Sequence, residues 1–331
     1  MALKYLGSAL LIVLWTGVGP VSAQTATTEL DVTVGHSTDQ VEAASSQVRI
    51  FGDAIAGWRY YFEGTWAQTW GPTSDAFGSA YPYDKRVHPM EMYGEKTSQF
   101  GPYVAGVRVG RYRTPFGIYS RTDHAYNGLL RAPLIRYGAY WALSNNFLEG
   151  GASVIAGVPR LFAEASLGVP QDEDLHSRRH GLDRVVRVQG AVGSIIVGAS
   201  HIRTLPSEAR AFARGRAEFT GVDVRWMHEG VQLRGEWIDG RPFNGTRTFG
   251  GYVDAFVHRP VMGPVTAVLR AERLDYLAGR ASSFPRRYIA GARIRLSTML
   301  VGQVNAVHEY GYRGRLANSA LDLAFTFSTR H

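Results

Sequence analysis

From residue 28 to residue 327 apolar and polar residues alternate with a period of two, in segments about ten residues long, and no helical period of useful length interrupts them. A period of two belongs to the β-strand, whose successive side chains point to opposite faces. Strands are predicted at 28–36, 45–52, 57–70, 87–95, 102–112, 149–157, 160–168 and 183–192, then at 195–204, 215–228, 230–239, 249–258, 264–274, 287–296, 299–310 and 317–327. Within 160–168, Leu161, Ala163, Ala165 and Leu167 share one face, and Phe162, Glu164 and Ser166 the other. Likewise Val188 opposes Arg187 and Gln189, Leu233 opposes Gln232 and Arg234, and Ala292 opposes Arg293. A soluble sandwich alternates too, but it has no need of so many segments of this length.

The connections sort by parity. Those at 53–56, 96–101, 158–159, 193–194, 229, 259–263 and 297–298 are short. The connections between them, at 37–44, 71–86, 113–148, 169–182, 205–214, 240–248, 275–286 and 311–316, are mostly longer. Short turns at one end and long loops at the other are the pattern of a membrane-spanning antiparallel β-barrel, here of about sixteen strands. With an even strand count both termini fall at the short-turn end. The last strand ends on Phe325 and Phe327, and aromatic residues near strand ends (Trp66, Trp70, Trp226, Trp237, Tyr288) suit girdles at the membrane interfaces.

The first residues agree with export. Lys4, an apolar run from Tyr5 to Trp15 and the small residues of Val21-Ser22-Ala23 make a signal peptide over 1–23, leaving 24–331 as one barrel domain. That run is too short to span a bilayer, and no later stretch reaches the length of a membrane helix. The formal charge is +8, and only Lys4, Lys85 and Lys96 are lysine, so the positive charge is almost all arginine. Arginine suits a planar fork that binds oxyanions. An exported chain rarely meets nucleic acid; anionic solutes and lipopolysaccharide are the expected partners. There is no cysteine, hence no disulfide and no thiolate metal site.

The longest connection, 113–148, carries Arg113, Arg121, Arg131 and Arg136 against the single acid Asp123. Its aromatic residues supply buriable area and argue for an ordered loop, expected to fold into the lumen of the barrel. The polar strand faces contribute Arg59, Arg108, Arg187, Arg225, Arg234, Arg270, Arg293 and Arg295, against Glu63, Glu164, Asp223, Glu236, Glu272, Glu309 and Asp322. That wall is nearly neutral, and most of these groups read as mutually paired. The loop is the unbalanced part, and basic charges at a constriction favour anions. Arg113, Arg121 and Arg131 are expected nearest the constriction, with Arg136, Arg108 and Arg59 beside them. Lying over the outer surface instead, the same loop would offer its arginines to lipopolysaccharide phosphates.

The stretch Gly110-Arg111-Tyr112-Arg113-Thr114-Pro115-Phe116-Gly117-Ile118-Tyr119 resembles the phosphate-selective (O/P-type) porin family of Gram-negative outer membranes. There a strand ending in a Gly-basic-aromatic step runs into a Pro-Phe-Gly turn at the start of the constriction loop. The resemblance is sharp over these residues and architectural elsewhere. It implies a trimeric, passive, anion-preferring channel in the bacterial outer membrane. The phosphate-specific members of that family rely on loop lysines, whereas here the basic loop residues are all arginine.

Other function classes leave weaker marks. His36-Ser37 and His201 are isolated, without the converging partners of a nucleophile system, so no enzyme is expected. His176 and His180 have a metal-ligand spacing only if helical, within a loop that carries Asp172, Glu173 and Asp174, and no metal or cofactor is assigned. The remaining alternative is a scaffold: a barrel that sheathes a partner such as a cytochrome or lipoprotein, which requires the long loop to be held clear of the lumen.

Overall fold

The computed structural model describes residues 25–71, 87–118, 128–136, 148–170, 182–204, 217–241, 247–277, 282, 284–311 and 318–331. The signal-peptide reading of 1–23 falls outside them.

Sixteen antiparallel strands close into one barrel. In chain order they are β1 (Thr25–Ser37), β2 (Val41–Asp53), β3 (Trp58–Trp70), β4 (Val87–Phe100), β5 (Tyr103–Arg113), β6 (Leu148–Val158), β7 (Leu161–Pro170) and β8 (Asp183–Val192). They continue with β9 (Ile195–Thr204), β10 (Ala217–His228), β11 (Val231–Arg241), β12 (Arg247–Val257), β13 (Val265–Leu277), β14 (Arg286–Arg295), β15 (Leu300–Tyr310) and β16 (Asn318–Arg330). Each strand pairs with its sequence neighbours, and β1 closes on β16 from Glu29↔Arg330 to Ser37↔Asp322. The last residue still takes part: Thr28 and His331 exchange two backbone bonds of 2.9 Å. Closure leaves no unpaired edge, which is what lets a sheet cross lipid.

The two faces differ as the alternation requires. Val154, Leu167, Val186, Val188, Val222, Leu233, Val253, Leu269, Leu323 and Phe325 are exposed outward. Their sequence neighbours Ser153, Ser166, Arg187, Asp223, Arg234, Asp254, Arg270 and Asp322 are buried inward. An apolar exterior around a charged interior is the inverse of a soluble sandwich, and a spanning barrel needs it.

The turns at one end are short: 54–57, 101–102, 159–160, 193–194, 229–230, 258–264 and 296–299. At the other end most are longer, the exceptions being 242–246 and 38–40, the latter replacing the eight-residue connection expected at 37–44. Pairing runs on to Ser37↔Val41 because Gln40 adopts φ 62° and closes the turn in three residues. The small and polar run Ala43-Ala44-Ser45-Ser46 carries no contrast between faces, so its strand character is hidden in the sequence. The β3–β4 ladder shifts register at Glu63/Gly64, where β4 holds one extra residue.

Candidate functional site

The end of β5 and the start of the long connection form the first half of the site. Gly110 adopts φ 134°, and a Cβ there would lie 2.4 Å from the Met92 carbonyl oxygen, so the Gly of the Gly-Arg-Tyr-Arg step is required by the close passage of β4. Three residues on, Arg113 is buried and its two terminal nitrogens reach Glu63 Oε1 at 2.8 Å and Glu91 Oε2 at 2.9 Å. Its backbone N–H also donates to Glu91 Oε1 at 3.0 Å. The two acids stand directly opposite each other in the ladder, at the bulge. Like charges in that relation repel, and the Arg113 guanidinium between them removes the repulsion.

Phe116 follows, fully buried in an apolar cluster with Ile202, Phe219, Ile238 and Leu274 from the inner faces of β9, β10, β11 and β13. A ring that follows the end of β5 reaches the inner faces of β9 to β13, four to eight strands away, only inside the barrel. A Cβ on Gly221 of β10 would stand 2.8 Å from the Phe116 ring, so Gly221 makes the seat for it. The Gly117 N–H donates to Ser200 Oγ on β9 at 3.1 Å.

The second half is the segment 128–136, held by inward side chains of β13 to β16. Asn305 accepts the Leu130 N–H and donates to the Gly128 carbonyl, each at 2.8 Å. Arg270 donates to the Arg131 carbonyl at 2.7 Å, Arg287 to the Ala132 carbonyl, and Glu272 accepts the Leu134 N–H at 2.6 Å. Arg131 points at β16, donating from Nε to Asp322 Oδ2 at 2.7 Å and from Nη2 to Asp322 Oδ1 at 2.9 Å. It also lies 3.1 Å from Asp39 and 3.7 Å from Glu309. Glu309 and Glu272 bracket Arg287 in turn, giving a chain of alternating charge. A buried network of this kind holds its shape because each member is a neighbour's counter-ion.

The candidate arginines therefore divide. Arg113 and Arg131 are buried and balanced by acids. Arg108 is as well, between Glu95 at 2.6 Å and Glu164 at 3.2 Å, with its guanidinium 4.9 Å from the Tyr93 ring centroid. Arg59 is exposed in a recess of about 480 Å³ near the short-turn end, with Asp53 and Glu95 facing it in the ladders. Arg121 and the side chain of Arg136 lie outside the described residues, as do His176 and His180. Of the isolated residues weighed for catalysis, Ser37 bonds Asp322 inside at 2.6 Å while His36 is exposed on the opposite face. His201 is likewise exposed outward, 3.1 Å from Thr220 Oγ1.

The sequence reading discounted two cations that stand out in the structure. Arg293 and Arg295 share the inner face of β14, toward the short-turn end, where the ladder sets Arg293 against Thr266 and Gln303 and Arg295 against Val301. Neither has an ion-pair or hydrogen-bond partner among the described residues, and each is the other's like-charged neighbour two residues along the same face. The stem of Arg293 runs beneath the loop, its Cβ 3.3 Å from where a Gly128 Cβ would be.

No protein-family model and no curated protein sequence matches this chain. Solved outer-membrane barrels do. Salmonella typhi OmpF, in a complex with daunomycin, superposes with a TM-score of 0.64 at 10% identity, over 92% of this chain and 97% of that one. An anion-selective porin from Comamonas acidovorans gives 0.62 at 12% identity, over 92% and 99%. OmpT, an outer membrane protein of Vibrio cholerae, gives 0.59 at 10% identity, over 92% and 97%. The chain shares its fold with these proteins.

Proposed function

We propose that this chain is an outer-membrane porin, exported by its signal peptide, that passes small solutes by diffusion and prefers anions, phosphate and other small oxyanions among them. The 114–147 connection acts as its constriction: the described parts are fastened to the inner wall at Glu63 and Glu91 on β3 and β4, through Phe116 at β9 to β13 across the barrel, and at Asn305 and Asp322 on β15 and β16. The observation that carries the anion preference is the unbalanced pair Arg293 and Arg295 on β14, below this loop. The loop arginines 113 and 131, by contrast, are neutralised by buried acids and act as fasteners. Positive charge left unbalanced beside a narrow aqueous path raises anion occupancy there. The protein works without catalysis or cofactor, as a homotrimer.

The sheath reading needs a clear lumen, and a chain segment anchored across it by Arg113, Phe116 and Arg131 is a poor fit to that. The test is bilayer conductance with a salt gradient and ion substitution on purified, folded protein. An anion-sided reversal potential supports the reading. A cation-sided or absent potential, or a partner protein that copurifies in stoichiometric amount, defeats it.

A further inference from the structure

The lipid-facing surface holds a feature that solute passage does not use. On the outer side of β10 to β15 lies an apolar trough of about 650 Å³. Its floor is made of the small residues Gly235, Gly251 and Ala271, and its sides of Trp237 on β11 and Tyr288 on β14. At its long-loop end stand Arg273 and Arg286, directly opposite each other in the β13–β14 ladder. Both guanidinium groups contact one carboxylate, Asp275, which is itself buried. Two forks on one acid leave a positive charge unbalanced, on a face that elsewhere shows apolar side chains.

The surroundings add to the imbalance. Arg247 stacks 5.0 Å above the Phe249 ring and is balanced by Asp239, while Arg241 ends β11 two residues after that aspartate. Trp237 meets Phe249, and Tyr288 meets Tyr310, in two ring pairs near these arginines; aromatic rings of this kind gather where a protein meets lipid headgroups. Arginine forks at that level are suited to phosphate oxygens, which accept two parallel bonds.

We propose that the trough binds a phosphorylated lipid of the outer leaflet, with an acyl chain along Gly235, Gly251 and Ala271 and its phosphate against Arg273 and Arg286. The charge argues for a lipid over a second copy of this chain as occupant. A symmetric contact would bring two such arginine groups toward each other, with only Asp239 and Asp275 between them.

The test is native mass spectrometry of the folded protein in neutral detergent, with added dioleoyl phosphatidic acid, dioleoylglycerol or inorganic phosphate. Phosphatidic acid should give a one-to-one adduct, and dioleoylglycerol should bind about tenfold more weakly or less, as loss of a charge-assisted contact implies. Two variants should each lower the phosphatidic acid adduct about tenfold while leaving the heat-modified gel shift unchanged. Arg273→Gln/Arg286→Gln/Asp275→Asn removes the charges together, and Ala271→Trp fills the trough from its exposed side. Equal binding of dioleoylglycerol, or adducts that persist in both variants, would overturn the proposal. So would competition by millimolar inorganic phosphate as effective as the lipid, which would mean a free-phosphate site. An Ala271→Cys protein that cross-links to itself in native membranes would give the surface to a second copy and also overturn it. None of these outcomes bears on ion selectivity, so this proposal and the porin reading fail separately.

Discussion

Arg131, in the connection between β5 and β6, grips both carboxylate oxygens of Asp322 on β16, 191 residues further along the chain, and neither side chain is exposed to solvent. Through this one pair the loop is tied to the strand that closes the barrel on β1.

Removing one partner leaves the other charge buried without its counter-ion, which costs about 3–5 kcal/mol. Asp322→Ala should therefore lower stability by that order, read from urea unfolding in detergent micelles. Arg131→Met/Asp322→Leu, which removes both charges, should recover a good part of the loss. Equal destabilisation by the single and double variants would mean that Arg131 depends on Asp39 and Glu309 instead.

Phe116 and Gly221 give a second, charge-free test of the same seat. Phe116→Ala opens a cavity among Ile202, Phe219 and Leu274 and should cost about 3–5 kcal/mol. Gly221→Val pushes a Cβ into the ring, 2.8 Å from its Cζ. Both variants should make residues 114–147 more susceptible to limited proteolysis from the long-loop side while the barrel keeps its gel shift. Unchanged cleavage in both would show that the ring does not fasten the loop.

The outward and inward faces can be read with single cysteines, since the chain has none of its own. Cysteines at Gln189, Arg293 and Arg295 should react with a water-soluble thiol reagent in membranes, and those at Val188 and Leu233 should not. Arg at either outward position should cost roughly 2–4 kcal/mol if it lies near the bilayer midplane. Equal labelling of both sets would put the strand register in error by one residue.

The barrel was legible because its physics is periodic: one face meets lipid and the other does not, so Leu161, Ala163, Ala165 and Leu167 separate from Glu164 and Ser166 by parity alone. Legibility failed where neither face shows contrast, as along Ala43-Ala44-Ser45-Ser46, and where one residue breaks the period, as at the β4 bulge beside Glu91. The loop was visible as a run of arginines, but its charge balance was not. Counting residues within 113–148 finds four arginines and one aspartate, whereas the counter-ions of Arg113 and Arg131 come from β3, β4, β15 and β16 and from the 38–40 turn. Pairing across the lumen is a property of closure that linear spacing does not carry. Arg293 and Arg295 were visible on the inner face, yet only the absence of acids at the ladder positions paired with them sets them apart from Arg234 or Arg270, which share Asp254.

That absence leads to the test of selectivity. A unit charge about 5 Å from a passing ion contributes roughly 1–3 kcal/mol at effective dielectrics between bulk water and protein surface. A change of this size alters relative occupancy by about tenfold. Arg293→Gln/Arg295→Gln should accordingly remove most of the anion preference, and Arg293→Glu/Arg295→Glu should turn the reversal potential toward cations. The effect should grow in dilute salt, where screening is weaker. Arg113→Gln should act differently. It strips Glu63 and Glu91 of the cation between them, so the expected result is lower stability and a noisier channel, with a smaller change in ion preference. If the β14 variants insert normally and keep the wild-type reversal potential in dilute salt, while Arg113→Gln moves it, the selective charge belongs to the loop. Arg293 and Arg295 would then be solvated wall residues with no part in selection.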